Sequence, residues 1–263
     1  YVKVKIANLF EIFSKNDEAI RDDFQLLTQN RTSSKLSKTN QLIGDNIFVE
    51  EGAKVECAVL NSTDGPIYIG KNAEIMEGSL IRGPFALCND SQIKMGAKIY
   101  GGTTIGPFSK VGGEINNSVF LGYSNKSHDG FLGNSVIGEW CNIGADSNNS
   151  NLKNNYEEVK LWNYTSKRFE LTGLQFCGLI MGDHSKCGIN TMFNTGTVVG
   201  INASIFGSGF QRNFIPSFSW GGVSGYSTYD IHKAIDVAER VYERRKIELD
   251  EIDGIKHATL IKH

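Results

Sequence analysis

The sequence predicts an all-β fold: a parallel β-helix of hexapeptide repeats, with a helical segment before it and an amphipathic helix after it. Three observations predict it. Aliphatic residues recur at every sixth position through Ile69, Ile75, Ile81, Leu87, Ile93, Ile99, Ile105 and Val111. Small residues keep step four positions later, at Ala73, Ser79, Ser91, Ala97, Thr103 and Ser109, with Phe85 as the exception. A second run, Met181, Cys187, Phe193, Val199 and Ile205, repeats the spacing beside Ser185, Thr191, Thr197 and Ala203. Phe131, Ile137 and Ile143 bridge the two runs. A period of six matches neither the period of about 3.6 of an α-helix nor that of about 2 of an amphipathic strand. It fits a coil of three flat faces, one hexapeptide per face. Each aliphatic side chain then points inward and stacks on its counterpart one coil away. Glycine directly after the aliphatic, as at Gly70, Gly106 and Gly112, relaxes the backbone near the corners.

The flanks do not repeat. Residues 1–40 read as a helical segment and linker, expected to be either the tail of an upstream domain or a helix packed on the β-helix; the first residue, Tyr1 rather than Met, fits a fragment of a longer protein or a processed chain. Ser14 and Asp17 suggest a capping box, and Ile20, Phe24 and Leu27 share one helical face. Residues 41–222 form the expected β-helix. Two interruptions of the period are expected within it, at about 114–130 and 147–178. Residues 223–263 hold the C-terminal helix. Ile231, Ala234, Ile235, Ala238, Val241 and Tyr242 make its apolar stripe, opposite Lys233, Asp236, Glu239, Arg240 and Arg244. Covering the open end of the β-helix is its expected role, since an uncovered end exposes strand edges. Packing on a neighbouring subunit is the alternative.

Composition narrows the function. A net charge of -2 offers no basic field for nucleic acid. No apolar stretch reaches the roughly 20 residues of a membrane helix, and no secretory signal is present. The five cysteines, Cys57, Cys88, Cys141, Cys177 and Cys187, are odd in number and lack CxxC spacing. They read as buried thiols of a cytoplasmic protein, with no metal site.

The chemistry concentrates at Ser127-His128-Asp129-Gly130-Phe131-Leu132-Gly133, followed by Asn142-Ile143-Gly144-Ala145 and Asn155-Tyr156. This pattern resembles the hexapeptide-repeat acyltransferases. It is most similar to the C-terminal acetyltransferase half of the bifunctional N-acetylglucosamine-1-phosphate uridyltransferase/glucosamine-1-phosphate acetyltransferase family. The resemblance spans about 43–210 and is most specific over 105–160. It implies left-handed winding, an exception to the right-handed crossover rule. It also implies acetyl-CoA as co-substrate, an amino-sugar phosphate as acceptor, and a homotrimer with sites between subunits.

Carried onto this sequence, the resemblance makes His128 the general base, a task that suits imidazole. Asp129 or Glu114 would orient the ring or the acceptor amine. Asn142, Asn155 and Tyr156 would bind the sugar. A backbone amide near Gly144-Ala145 would stabilise the oxyanion. The pantetheine arm would lie against small residues such as Gly188, with Arg212 or Lys186 meeting a CoA phosphate. The chain departs from the family at Asn116, where a phosphate-binding lysine is expected, and at Phe131, where a tyrosine is expected. Lys126, Lys153 or Lys160 would then hold the phosphate, and Lys160 best fits its place after Asn155-Tyr156. His184 lies within a repeat and is expected to face solvent, while His232, His257 and His263 lie near the C-terminus without evident partners. Two other readings stand beside acetyl transfer. One is a non-catalytic β-helix that trimerises and regulates a sugar-1-phosphate nucleotidyltransferase. The other is a hexapeptide-repeat carbonic anhydrase, which needs three histidines as zinc ligands.

Overall fold

The computed structural model describes residues 5–247. Strands of two to four residues wind into a three-sided coil, so that each face is a parallel sheet whose neighbouring strands come from successive coils. One face runs in register through Val49, Ile69, Leu87, Ile105, Phe120, Ile137, Met181, Val199 and Ile215. All nine side chains are buried and belong to one continuous core. A second face stacks Val55, Ile75, Ile93, Val111 and Lys126 inward, and resumes with Ile143, Cys187 and Ile205. The third stacks Leu60, Ile81, Ile99, Ile115 and Leu132. Every residue of the first period-six run points into this core. Each column removes apolar surface from water at about 25 cal/mol per Å².

The bridging residues need correction. Leu132, not Phe131, takes the inward place, and Phe131 is only half-buried. The expected break at 114–130 does not occur. Glu114–Asn116, Val119–Gly122 and Asn125–Lys126 continue the three sheets. That coil is simply shorter, with Phe120 stacking on Ile105 fifteen positions before it. Two corners are cut short: Val111 to Ile115 spans four positions across Gly113, with φ of 76°, and Ile115 to Phe120 spans five across Asn117, with φ of 43°.

The second break is real. After Asn148–Asn149 the chain leaves the coil, forms an antiparallel hairpin from Lys160–Asn163 and Arg168–Leu171, and returns at Leu179. This excursion packs on the outward side of the first face, against Val119, Val136, Ile180 and Val198, with Trp162 stacked on Phe214. Helices α1 (Glu11–Ser14) and α2 (Asn16–Thr28) join that layer through Phe13. The expected capping box is absent. Ser14 lies inside α1, and α2 has no side-chain cap. Asn16 instead ties α2 to the coil, donating to the Gly102 carbonyl and accepting from Thr104.

Helix α3 (Ile231–Arg244) starts at Asp230, whose carboxylate accepts from the Lys233 amide. Its buried stripe is Ala234, Ala238 and Tyr242. It does not close the end of the solenoid. The Tyr229 amide docks on the Phe218 carbonyl, and Tyr242 stacks on Trp140, so α3 runs back along a corner of its own coils. Beyond residue 247, the expected C-terminal segment with His257 and His263 lies outside the described residues.

The columns predict a contrast. Ile105→Ala should cost about 2–5 kcal/mol in denaturant unfolding, by leaving a cavity in a fully buried column. Leu121→Ala, on the exposed side of the next coil, should stay within about 0.5 kcal/mol.

Candidate active site

The second face carries the chemistry on its outward side. Lys110, Asn125, Asn142 and Lys186 stack in register there. With Arg244 and Arg245 from the end of α3 they line a cleft of about 760 Å³, together with His128, Tyr123 and Trp140. Among the described residues no carboxylate lines it, although the chain as a whole is slightly acidic. Burial, more than mutual repulsion, registers on the cations. Burial, then Arg245, Lys94 and Arg244, lowers the Lys110 pKa. Burial, then Arg244, lowers that of Arg245, and burial lowers that of Lys186. Unbalanced positive charge of this kind favours an anionic ligand. Asn125 Oδ1 is buried in the same wall without a hydrogen-bond partner among the described residues, an acceptor that awaits a donor.

Tyr123 and Trp140, on one wall of the cleft, are rungs of a longer aromatic ladder. Phe108, Tyr123, Trp140 and His184 occupy equivalent corners of successive coils, each with φ between 52° and 58°. Left-handed backbone costs an ordinary residue about 1–2 kcal/mol. Stacking offsets it: ring centroids lie 4.8 Å apart for Phe108–Tyr123 and 4.1 Å for Tyr123–Trp140. Tyr242 of α3 adds its ring 4.2 Å from Trp140. His184, expected at the surface, is buried beneath this helix contact.

His128 stands where two clefts meet. Ser127, His128 and Ala145 also line a second cleft of about 750 Å³, whose other walls include Lys94, Met95, Gly113, Asp129 and Asp146. Its two carboxylates contrast with the cationic cleft beyond the imidazole.

The structure brings together His128, Asp129, Asn142, Gly144 and Ala145 from the sequence-predicted set. The Gly144 amide is committed to the Cys187 carbonyl at 3.1 Å, so it is no free oxyanion donor. Gly144 must be glycine because a Cβ there would collide with the Gly188 backbone one coil on. Gly188 is exposed next to this wall. Glu114 pairs with Phe131 on a different face and lines neither cleft. Asn155, Tyr156 and Lys160 belong to the excursion packed on the first face, away from both clefts of their own chain. Arg212 is exposed beside Tyr226 and lines neither cleft. Lys126 cannot bind a ligand, because it replaces an aliphatic inside the coil. Among the thiols, Cys141, Cys177 and Cys187 are buried, but Cys57 is exposed and Cys88 half-buried. No cluster of three His, Cys, Asp or Glu able to hold a metal occurs among the described residues. No helix there is long and apolar enough to cross a membrane.

The period-six reading missed Lys110, Asn125, Tyr123 and the arginines of α3. A signal for the aromatic ladder was present: Phe108, Tyr123, Trp140 and His184 each directly precede a small corner residue, Ser109, Ser124, Cys141 and Ser185.

No family model matches the sequence. Among curated proteins, the bifunctional protein GlmU of Methanocaldococcus jannaschii is 37% identical over 92 residues, 35% of this chain and 22% of that protein. The bifunctional sugar-1-phosphate nucleotidylyltransferase/acetyltransferase of Sulfurisphaera tokodaii is 30% identical over 176 residues, 66% of this chain and 41% of that protein. The chain matches the hexapeptide-repeat acetyltransferases. It spans less than half the length of these two relatives. Among solved structures, the polySia specific acetyltransferase NeuO superposes on 78% of this chain and 100% of its own, at 14% identity and a TM-score of 0.40.

Lys126 gives a pH prediction. Burial pushes its pKa down from 10.5 to about 8, against the opposing pull of Asp129, Cys187 and Asp146. The unfolded chain therefore binds more protons than the folded one between about pH 8 and 10.5, and stability rises with pH across that window. Lys126→Met should be more stable than the parent below about pH 8, with the difference shrinking towards pH 10.5, as read from urea midpoints.

Proposed function

We propose that the chain is a CoA-dependent N-acetyltransferase acting on an amino sugar carried as a phosphate or nucleotide. The observation that carries this reading is the place of His128, on the wall shared by a cationic, aromatic cleft and an acidic one. An acyl-CoA is a polyanion with a planar base and a thioester at the far end of a pantetheine arm. In this reading its phosphates meet Lys110, Lys186, Arg244 and Arg245. An amide N–H of the arm reaches Asn125 Oδ1, and its base lies near Tyr123. The acceptor amine enters from the side of Asp129 and Asp146, whose charge attracts an ammonium group.

The reaction then needs little more. The amine nitrogen attacks the thioester carbonyl, and His128 takes the proton that nitrogen loses as the C–N bond forms. The tetrahedral oxyanion collapses, the C–S bond breaks, and the CoA sulfur leaves and recovers a proton. The Ala145 amide, on the shared wall, is the oxyanion donor we assign. A homotrimer completes the proposal, since Asn155, Tyr156 and Lys160 can contribute to acetyl transfer only at a neighbouring subunit's cleft.

Thiol release from acetyl-CoA with glucosamine-1-phosphate and other amino sugars tests the reading. His128→Ala should lower kcat/KM by about 10²–10⁴. Arg244→Ala with Arg245→Ala should instead raise the KM for acetyl-CoA, by a factor that shrinks as salt is added. A parent protein that releases no CoA with any amino sugar supports a regulatory β-helix. A monomer in sedimentation contradicts the shared site.

A further inference from the structure

One buried group is left over by this chemistry. Lys126 occupies the inward column of the second face, where Val111 sits one coil earlier. It is 1% exposed, among the most deeply buried large side chains of the protein. Its Nζ donates to the His128 carbonyl at 2.9 Å and to the Gly112 carbonyl at 3.3 Å. No salt bridge reaches it among the described residues. Asp129, Asp146 and Cys187 are the titratable groups that act on it. Stability alone would place an aliphatic here, because a buried ammonium without a paired carboxylate is costly. Where a local rule is broken, function is the expected return.

We propose that Lys126 is a positioning residue for acetyl transfer, holding the His128 main chain from inside the coil so that the imidazole stands between the two clefts. The inference rests on the reading of His128 as the base. The segment Ser127 to Gly130 crosses a corner of the coil, and Gly130 has a φ of 120°. One hydrogen bond from the column holds the carbonyl of the residue whose ring must meet the amine, and a second, to Gly112 one coil earlier, anchors the ammonium that makes it. Misplacing that ring by about 1 Å is enough to cost about a hundredfold in rate.

The test is a double-mutant cycle on the full chain. Lys126→Met should fold, since its column neighbours are aliphatic, and should lower kcat by roughly 10- to 100-fold. The KM for acetyl-CoA should stay within about twofold, because uniform binding is untouched. In a His128→Ala background the same change should cause no further loss, the non-additivity expected of residues that act as a unit. The His128 imidazole resonances should also move in Lys126→Met. A folded Lys126→Met with unchanged kcat and unchanged resonances overturns the proposal, as does an additive loss on His128→Ala. A His128→Ala variant as active as the parent sinks the base reading instead, and the resonances then still report whether Lys126 holds the His128 segment. Should Lys126→Met fail to fold, Lys126→Leu carries the same comparison.

Discussion

Register between coils is the constraint on which everything else depends. Successive strands lie about 4.8 Å apart, so a residue at a given place in one coil is the direct neighbour of its counterpart in the next. Inward, this makes aliphatic columns. Outward, it makes columns of whatever chemistry the sequence supplies. The Phe108–Tyr123–Trp140 ladder and the Lys110–Asn125–Asn142–Lys186 row both arise this way. Neither needs a dedicated loop, and both stand on the same strands and corners that carry the core columns. A site built on such a wall is preorganised, which is what transition-state stabilisation requires.

The coil does not make the site alone. Helix α3 lies along the aromatic corner and delivers Arg244 and Arg245 to the head of the cationic cleft. The His128 segment follows directly on the strand that carries Lys126, which reaches back to the Gly112 carbonyl of the preceding coil. The excursion and α2 cover the opposite face, whose outward residues are apolar and would otherwise be exposed. One face thus stays free for ligands while another is sealed by a second hydrophobic layer.

The period of six made the core legible residue by residue, because an inward column tolerates little besides aliphatics. It was less informative about coil length. Glu114 to Gly130 looks like a break only if every coil must hold eighteen residues, and fifteen suffice when the corners at Gly113 and Asn117 are cut short. Outward chemistry was half legible. His128, Asn142 and Ala145 lie close in sequence and meet in space, but Lys110 and Arg245 meet only through the winding and the return of α3. Lys126 was misread because lysine is almost never buried alone, and only the column shows that this one is.

The most direct measurement is a crystal structure of the protein with CoA bound. The account predicts the phosphates among Lys110, Lys186, Arg244 and Arg245, with the sulfur ending beside His128 at the wall shared by the two clefts. CoA seated on another face, or its sulfur remote from His128, would contradict it.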